Sequence, residues 1–422
     1  MSMHGSKVEW DTANRRIARP VKWREMFRQV QELVASPDGE RVAALVCTDE
    51  ETIVPCVNGE TWTNTFEKAW SLQFSPNGAL VCIGMNEDEW TVVVDDEPWE
   101  ETYDYVWNLQ FSADGKSIAA NIRTSAGYGI ALNGQAWEQS FLEARSCEIS
   151  RDGRNTAANV QMSPLSEGDI WEFQKGLWSL AVNGKAWDST FLNVWGCSFS
   201  DDGAAVAAEV RLPSRRQTIA VNGRPWGEDF KAVWKPVFSP GKHDAVAPGL
   251  TQEGWKLLRN GQPLWSRPFN QIWHQTFSPD GSRIAAVVSP DFARWTVAVD
   301  GTPWSLTVGE AVMPPVFSSD GRRVAAAMKD NGKWTIVADG KPWPEEFDMI
   351  WDPTFSPDGS MILAKAERGG KRFLVVDGKI STLPYEELWP PVCSPDGSKV
   401  MLRAIEMGTY FKKVVPVGEL AR

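Results

Sequence analysis

Clustered cysteine and histidine are what this sequence most lacks. Its six cysteines (Cys47, Cys56, Cys82, Cys147, Cys197 and Cys393) include no C-x-x-C pair. That excludes the usual ligand sets for structural zinc, iron-sulfur clusters and covalently attached haem, and leaves buried thiols as the expectation. There are only three histidines, His4, His243 and His274, and no nucleophile elbow, P-loop or dinucleotide fingerprint accompanies them. Acid-base and nucleotide chemistry therefore have little to work with, and the chain reads as a non-enzyme without a cofactor. No run of about 18 apolar residues is present to cross a membrane, and the opening MSMHGSKVEWDTANRR lacks the apolar core of a secretory signal. These absences lead to the expectation of a cytoplasmic protein. No run of five or more Lys and Arg occurs, and 43 basic against 55 acidic residues leave a net charge of −12. Nucleic acid is thus a poor partner.

Tryptophan and turn signals are what the sequence has in abundance. It carries 23 Trp against 5 Tyr. The signal S-P-D-G, or a close variant, occurs ten times, with its serine at Ser36, Ser75, Ser112, Ser150, Ser200, Ser239, Ser278, Ser318, Ser356 and Ser394. The intervals are 37 to 40 residues, apart from 50 between Ser150 and Ser200. A second signal, Asn/Asp-Gly, recurs in phase at Asn58, Asn133, Asn183, Asn222, Asn260, Asp300, Asp339 and Asp377, with Asp95-Asp96 standing in once. Between the turns lie short runs such as Ile284-Ala285-Ala286-Val287-Val288 and Trp295-Thr296-Val297-Ala298-Val299, too short for helices. Each unit is then a four-stranded meander, the size of one propeller blade.

The unit Phe277-Ser278-Pro279-Asp280-Gly281-Ser282-Arg283-Ile284-Ala285 resembles the WD-repeat-like unit of TolB-type β-propellers, a resemblance that runs from about residue 17 to 417. The expected fold is all-β: one propeller of ten four-stranded blades, with two smaller propellers as the alternative. Residues 1–16 and 418–422 are expected to be tails. Trp23 to Phe27 followed by Ser36 matches Trp343 to Phe347 followed by Ser356, whereas the last unit lacks a fourth strand. The two ends are therefore expected to complete one blade between them and leave no open sheet edge.

Sorted by phase, nine tryptophans follow the Asn-Gly turn or its equivalent: Trp23, Trp62, Trp99, Trp137, Trp187, Trp226, Trp265, Trp304 and Trp343. Five stand five residues before that turn: Trp90, Trp178, Trp255, Trp295 and Trp334. Hairpin spacing predicts contact between members of these two sets, as between Trp295 and Trp304, within the core between blades. Seven more precede the Ser turn by five residues: Trp70, Trp107, Trp195, Trp234, Trp273, Trp351 and Trp389. They begin the innermost strands, where they either pack as core or form a rim open to a partner. One unit carries an extra loop, 161–176, whose Ile170, Trp171 and Phe173 make an apolar tip that either binds a partner or folds back on its own blade. Both sets of turns fall on one face by hairpin logic, which leaves the rim tryptophans and the extra loop together on the other.

In length, repeat type and tryptophan density the whole chain resembles the tryptophan-rich subunits of Tmc-type transmembrane redox complexes of sulfate-reducing bacteria. The resemblance implies a non-catalytic scaffold, peripheral on the inner face of the cytoplasmic membrane, with iron-sulfur and membrane-haem subunits as partners and a periplasmic tetrahaem cytochrome in the same complex. It assigns no functional residues. An aromatic-lined ligand- or glycan-binding propeller is the competing reading.

Overall fold

Two short hydrogen-bond motifs, repeated blade after blade, set the architecture. The computed structural model of the chain describes residues 8–48, 52–164 and 176–420. At the first motif the Ser hydroxyl of S-P-D-G donates to the Asp or Asn two residues later at 2.5–2.7 Å in nine of the ten units. The deviant Ser239-Pro240-Gly241-Lys242 has no such acceptor, and the Ser239 hydroxyl has no hydrogen-bond partner. At the second motif the Asn or Asp side chain accepts from the backbone N–H that opens the second strand, at 2.8–3.0 Å in nine blades. This bond ties the outer hairpin to the inner one and places both turn sets on one end of each blade, here the turn face. The blade-joining segments and the turns between second and third strands occupy the opposite end, the loop face.

Ten antiparallel sheets result, numbered here as blades 1 to 10 in the order of their Ser turns. First strands touch between blades 1 and 2, 3 and 4, 4 and 5, and 5 and 6, which places the first strands innermost. Ten apolar clusters fill the seams, one for each pair of neighbouring blades including the pair formed by blades 10 and 1. A continuous chain of ten seams is one closed ring and excludes two smaller propellers.

Closure comes from the N-terminus. Ala13–Ala18 pairs antiparallel with Thr409–Pro416 as the outermost strand of blade 10. Residues 13–16, expected in a tail, are thus part of the sheet, because the last strand of the chain offers a free edge that only they can pair. At the other end Leu420 is buried against the blade 9–10 cluster, so the expected tail at 418–422 is packed at least to that residue. Trp23, matched in sequence to the post-turn Trp343, sits on a short helix, Pro20–Met26, rather than directly after a strand. It is nonetheless buried in the seam between blades 10 and 1. Three polar side chains of blade 10 grip blade 1: Arg403 donates to the Ser36 carbonyl at 3.0 Å, Tyr410 to the Gly39 carbonyl at 3.2 Å, and Lys412 pairs with Glu40 at 2.7 Å.

The post-turn tryptophans lock neighbouring blades together. In eight places such an indole packs under the glycine of the following blade's turn, where a Cβ would stand 3.2–3.6 Å from the ring (Trp304 under Gly340, Trp265 under Gly301, Trp23 under Gly59). Blade 2 has Asp96 in place of that glycine, and there the Asp96 carboxylate accepts instead from Thr63 and Asn64 of blade 1.

Candidate functional site

The innermost strands depart from simple hairpin geometry, and this sets the seven rim tryptophans. In blades 2, 3, 4, 5 and 7 the strand is bulged one residue after the rim position. Ser71, Asn108, Ser146 and His274 take positive φ there, a backbone state that re-aims neighbouring side chains. In blades 6, 8, 9 and 10 a proline three residues before the turn serine (Pro236, Pro315, Pro353, Pro391) removes a ladder donor, and the strand is reduced to short pieces.

Rim and core prove to be one place. Trp70, Trp107, Trp195, Trp273, Trp351 and Trp389 are half-buried, and only Trp234 is exposed, at 41%. Trp70, Trp273 and Trp389 pack against the seam clusters, half in the core and half toward solvent. The expected ring contact of Trp295 with Trp304 is replaced: Trp304 turns across the seam to Gly340, and Trp295 stacks on Trp273 with centroids 4.4 Å apart. The same pairing of rim and third-strand rings recurs as Trp70 with Trp90 at 4.0 Å and Trp234 with Trp255 at 5.2 Å. Blade 4 has Arg145 at the rim position, its guanidinium 4.3 Å from the Trp178 ring. Blade 9 lays the Lys365 ammonium 4.2 Å from Trp351. Ile170, Trp171 and Phe173 lie outside the described residues, between Pro164 and Gly176.

A feature that the sequence reading missed is the distribution of exposed apolar side chains. Eight large ones are exposed among the described residues: Val21, Met26, Tyr105, Leu142, Trp234, Phe292, Leu383 and Met407. Every one is on the loop face. Val21, Met26, Leu142 and Leu383 are in blade-joining segments, Tyr105 and Trp234 open innermost strands, and Phe292 and Met407, at 91% and 90%, tip turns between second and third strands.

The titratable groups with chemical potential are otherwise occupied. Burial pushes the thiols up, Cys56 and Cys393 to about 11 and Cys197 to about 12, with Cys82 and Cys147 raised further, so these five are poor nucleophiles at neutral pH. Hydrogen bonds from the turn serines hold Asp280, Asp358 and Asp396 down at about 2, which fits turn-forming carboxylates. His243 meets Asp202 at 2.8 Å on the turn face, and His274 lies against Trp273 with its pKa lowered by burial. Glu209, on the second strand of blade 5, is pushed up to about 7 by burial, with Lys235 pulling it back. Among the described residues no three of His, Cys, Asp or Glu gather as a metal-binding group, and no helix is long and apolar enough to cross a membrane.

No family model matches the sequence, and no curated protein matches it. Solved structures similar in shape include one described as the crystal structure of the eukaryotic initiation factor. It has a TM-score of 0.47 and 11% identity over 90% of this chain and 97% of that one. Another is the Dos1 propeller, with a TM-score of 0.36 and 11% identity over 95% and 94%. At these scores neither likeness carries an argument, and the propeller assignment rests on the strand pairings and the ten seams.

Proposed function

We propose that the protein is a non-catalytic interaction scaffold that docks a protein partner on its loop face. One observation carries the reading: all eight exposed large apolar side chains among the described residues fall on that face. Tyr105 and Trp234 among them are of the kind that anchors interfaces, where aromatic side chains carry much of the binding energy. The turn face has spent its polar groups on its own hairpins and is a poor anchor.

The finer reading places the scaffold on the cytoplasmic side of a membrane-associated electron-transfer complex, beside iron-sulfur and membrane-haem subunits. It rests on the resemblance in repeat type and tryptophan density. Gentle affinity purification from the native host, followed by mass spectrometry, tests both levels. A stoichiometric partner is expected. Its recovery should fall with Phe292→Ser and Met407→Ser together, and survive Gln135→Ser on the turn face. The opposite pattern overturns the docking face. Recovery of partners that include no iron-sulfur or haem protein overturns the redox assignment.

A further inference from the structure

Where aromatic rings line the loop face, several blades bring their own cation to them: Arg145 to Trp178, Lys365 to Trp351, Arg123 to Tyr128 at 5.8 Å, and Lys329 to Trp334 at 6.0 Å. The seam between blades 2 and 3 has the longest run of rings, and of these Trp70, Trp90, Tyr105 and Trp107 have no cation over them, Arg123 standing only at the far end over Tyr128. Trp70 packs on Trp90, Tyr105 closes on both with centroids at 5.8 and 5.4 Å, and Trp107 follows at 5.6 Å from Tyr105. Tyr105 presents its ring to solvent at 40% exposure.

Charge around this run is one-sided. Glu67 and Asp104 flank the rings, Glu87, Asp88 and Glu89 form the adjoining turn, and Glu100 and Glu101 join the two blades. All seven are exposed, and none forms an ion pair among the described residues; the cations nearby are Lys68 and Arg123, the latter opposite Tyr105 in the sheet but laid over the Tyr128 ring. The chain orders these carboxylates with its own donors, the Glu87 amide to Glu67 at 3.2 Å and the Thr102 hydroxyl to Glu89 at 2.7 Å, and leaves seven acidic side chains against two basic ones.

We propose that this aromatic and acidic seam anchors a basic segment of the partner polypeptide, with an Arg or Lys side chain laid on Tyr105 and further cations on the flanking carboxylates. The proposal rests on the loop face being the docking face. Ring faces attract cations through their quadrupole, and a guanidinium can stack on a ring while bonding a carboxylate at its edge. The corresponding places in blades 4, 8 and 9 show the arrangement completed from within. A seam that crosses two blades suits an extended segment better than a single small cation.

Titration of the full-length protein with a capped hexa-arginine peptide, followed by calorimetry, tests this. Saturable one-site binding is expected. Tyr105→Ala should weaken it about five- to tenfold, the size of one partly desolvated cation–π contact. Glu87→Gln with Glu89→Gln should weaken it as much and flatten its salt dependence. Glu60→Gln with Glu97→Gln, an equal charge change on the turn face, should stay within twofold. No binding, equal loss from both charge pairs, or tetramethylammonium competing as strongly as the peptide would each overturn the proposal. Partner capture separates this from the docking-face reading. Capture lost on Phe292→Ser and Met407→Ser but kept on Glu87→Gln and Glu89→Gln refutes the basic-segment anchor alone; capture kept on both sets refutes the face.

Discussion

Blade 8 contains a matched pair of glycines that isolates the worth of the tryptophan lock. Gly332 and Gly340 have φ of 77° and 78°, so replacing either by Ala incurs the same backbone strain, about 1–2 kcal/mol. Their surroundings differ. A Cβ at Gly332 meets nothing within 4 Å, whereas one at Gly340 stands 3.3 Å from Cγ and 3.4 Å from Cδ1 of Trp304. The indole is half-buried in the blade 7–8 cluster and must move by a few tenths of an ångström, an overpacking cost of about 1–2 kcal/mol beyond the shared term. A ring of this size need not unfold in one step, so native-state hydrogen exchange of blade 8 amides is the suitable readout. Gly340→Ala should speed exchange there roughly tenfold more than Gly332→Ala, since about 1.4 kcal/mol is a factor of ten. Trp304→Phe should recover about 1 kcal/mol of that excess in a double-mutant cycle. Equal exchange in the two glycine variants, or no coupling to Trp304, refutes the lock.

Three further outcomes follow from the ring and its buried groups. Deleting residues 2–31 removes the outermost strand of blade 10, Trp23 and the start of blade 1, so the truncated chain should aggregate or lose cooperative melting; a soluble monomer with unchanged melting temperature refutes closure. Arg403→Met removes the guanidinium that bonds the Ser36 carbonyl across the seam and the Pro390 carbonyl within blade 10, and should open the seam between blades 10 and 1 to limited proteolysis before any other; cleavage unchanged from wild type refutes the clasp. Because the Glu209 carboxyl is raised to about 7, the folded state holds more protons than the unfolded one between the ordinary glutamate pKa and neutrality, so stability falls as pH rises through that window. Glu209→Gln should flatten this slope and be the more stable form at pH 8, and an unchanged slope refutes the assignment.

The blade plan was legible in the sequence because both turn signals are local. A Ser hydroxyl that bonds an Asp or Asn two residues on, and an Asn or Asp that takes φ > 0, leave closely similar residues at the same interval, each in nine of the ten units. Closure was legible for a similar reason, since Trp23 and Phe27 repeat the spacing of Trp343 and Phe347. Ring partners were not. Hairpin spacing places Trp295 near Trp304 on one sheet face, but whether the rings meet depends on Gly340 in the next blade and Trp273 two strands away. The bulges were illegible because Ser71, Asn108, Ser146 and His274 share a backbone state without sharing a chemistry. The prolines at 236, 315, 353 and 391 did mark broken innermost strands, at a fixed distance from the turn serine.

The two faces of the ring divide the work between folding and recognition for a physical reason. On the turn face the hairpins are built on Ser, Asp, Asn and Gly, so in most blades these residue types are set by the backbone and their polar atoms are already paired. Arg283 and Arg323 extend the pairing across seams, each bonding an Asp of its own blade and carbonyls of the next. On the loop face the turns between second and third strands carry no such obligation: Phe292, Met407 and Glu87 occupy equivalent turns with unrelated side chains. Those side chains are free to differ from blade to blade, which is how a ring of near-identical units acquires one acidic aromatic seam and several isolated apolar tips. A partner that reads this surface must span several blades, so its binding should depend on the integrity of the ring. Arg403→Met, which alters none of the eight exposed apolar side chains, should therefore weaken partner capture along with closure, and capture that persists with an opened seam would place the whole contact on the intact blades away from it.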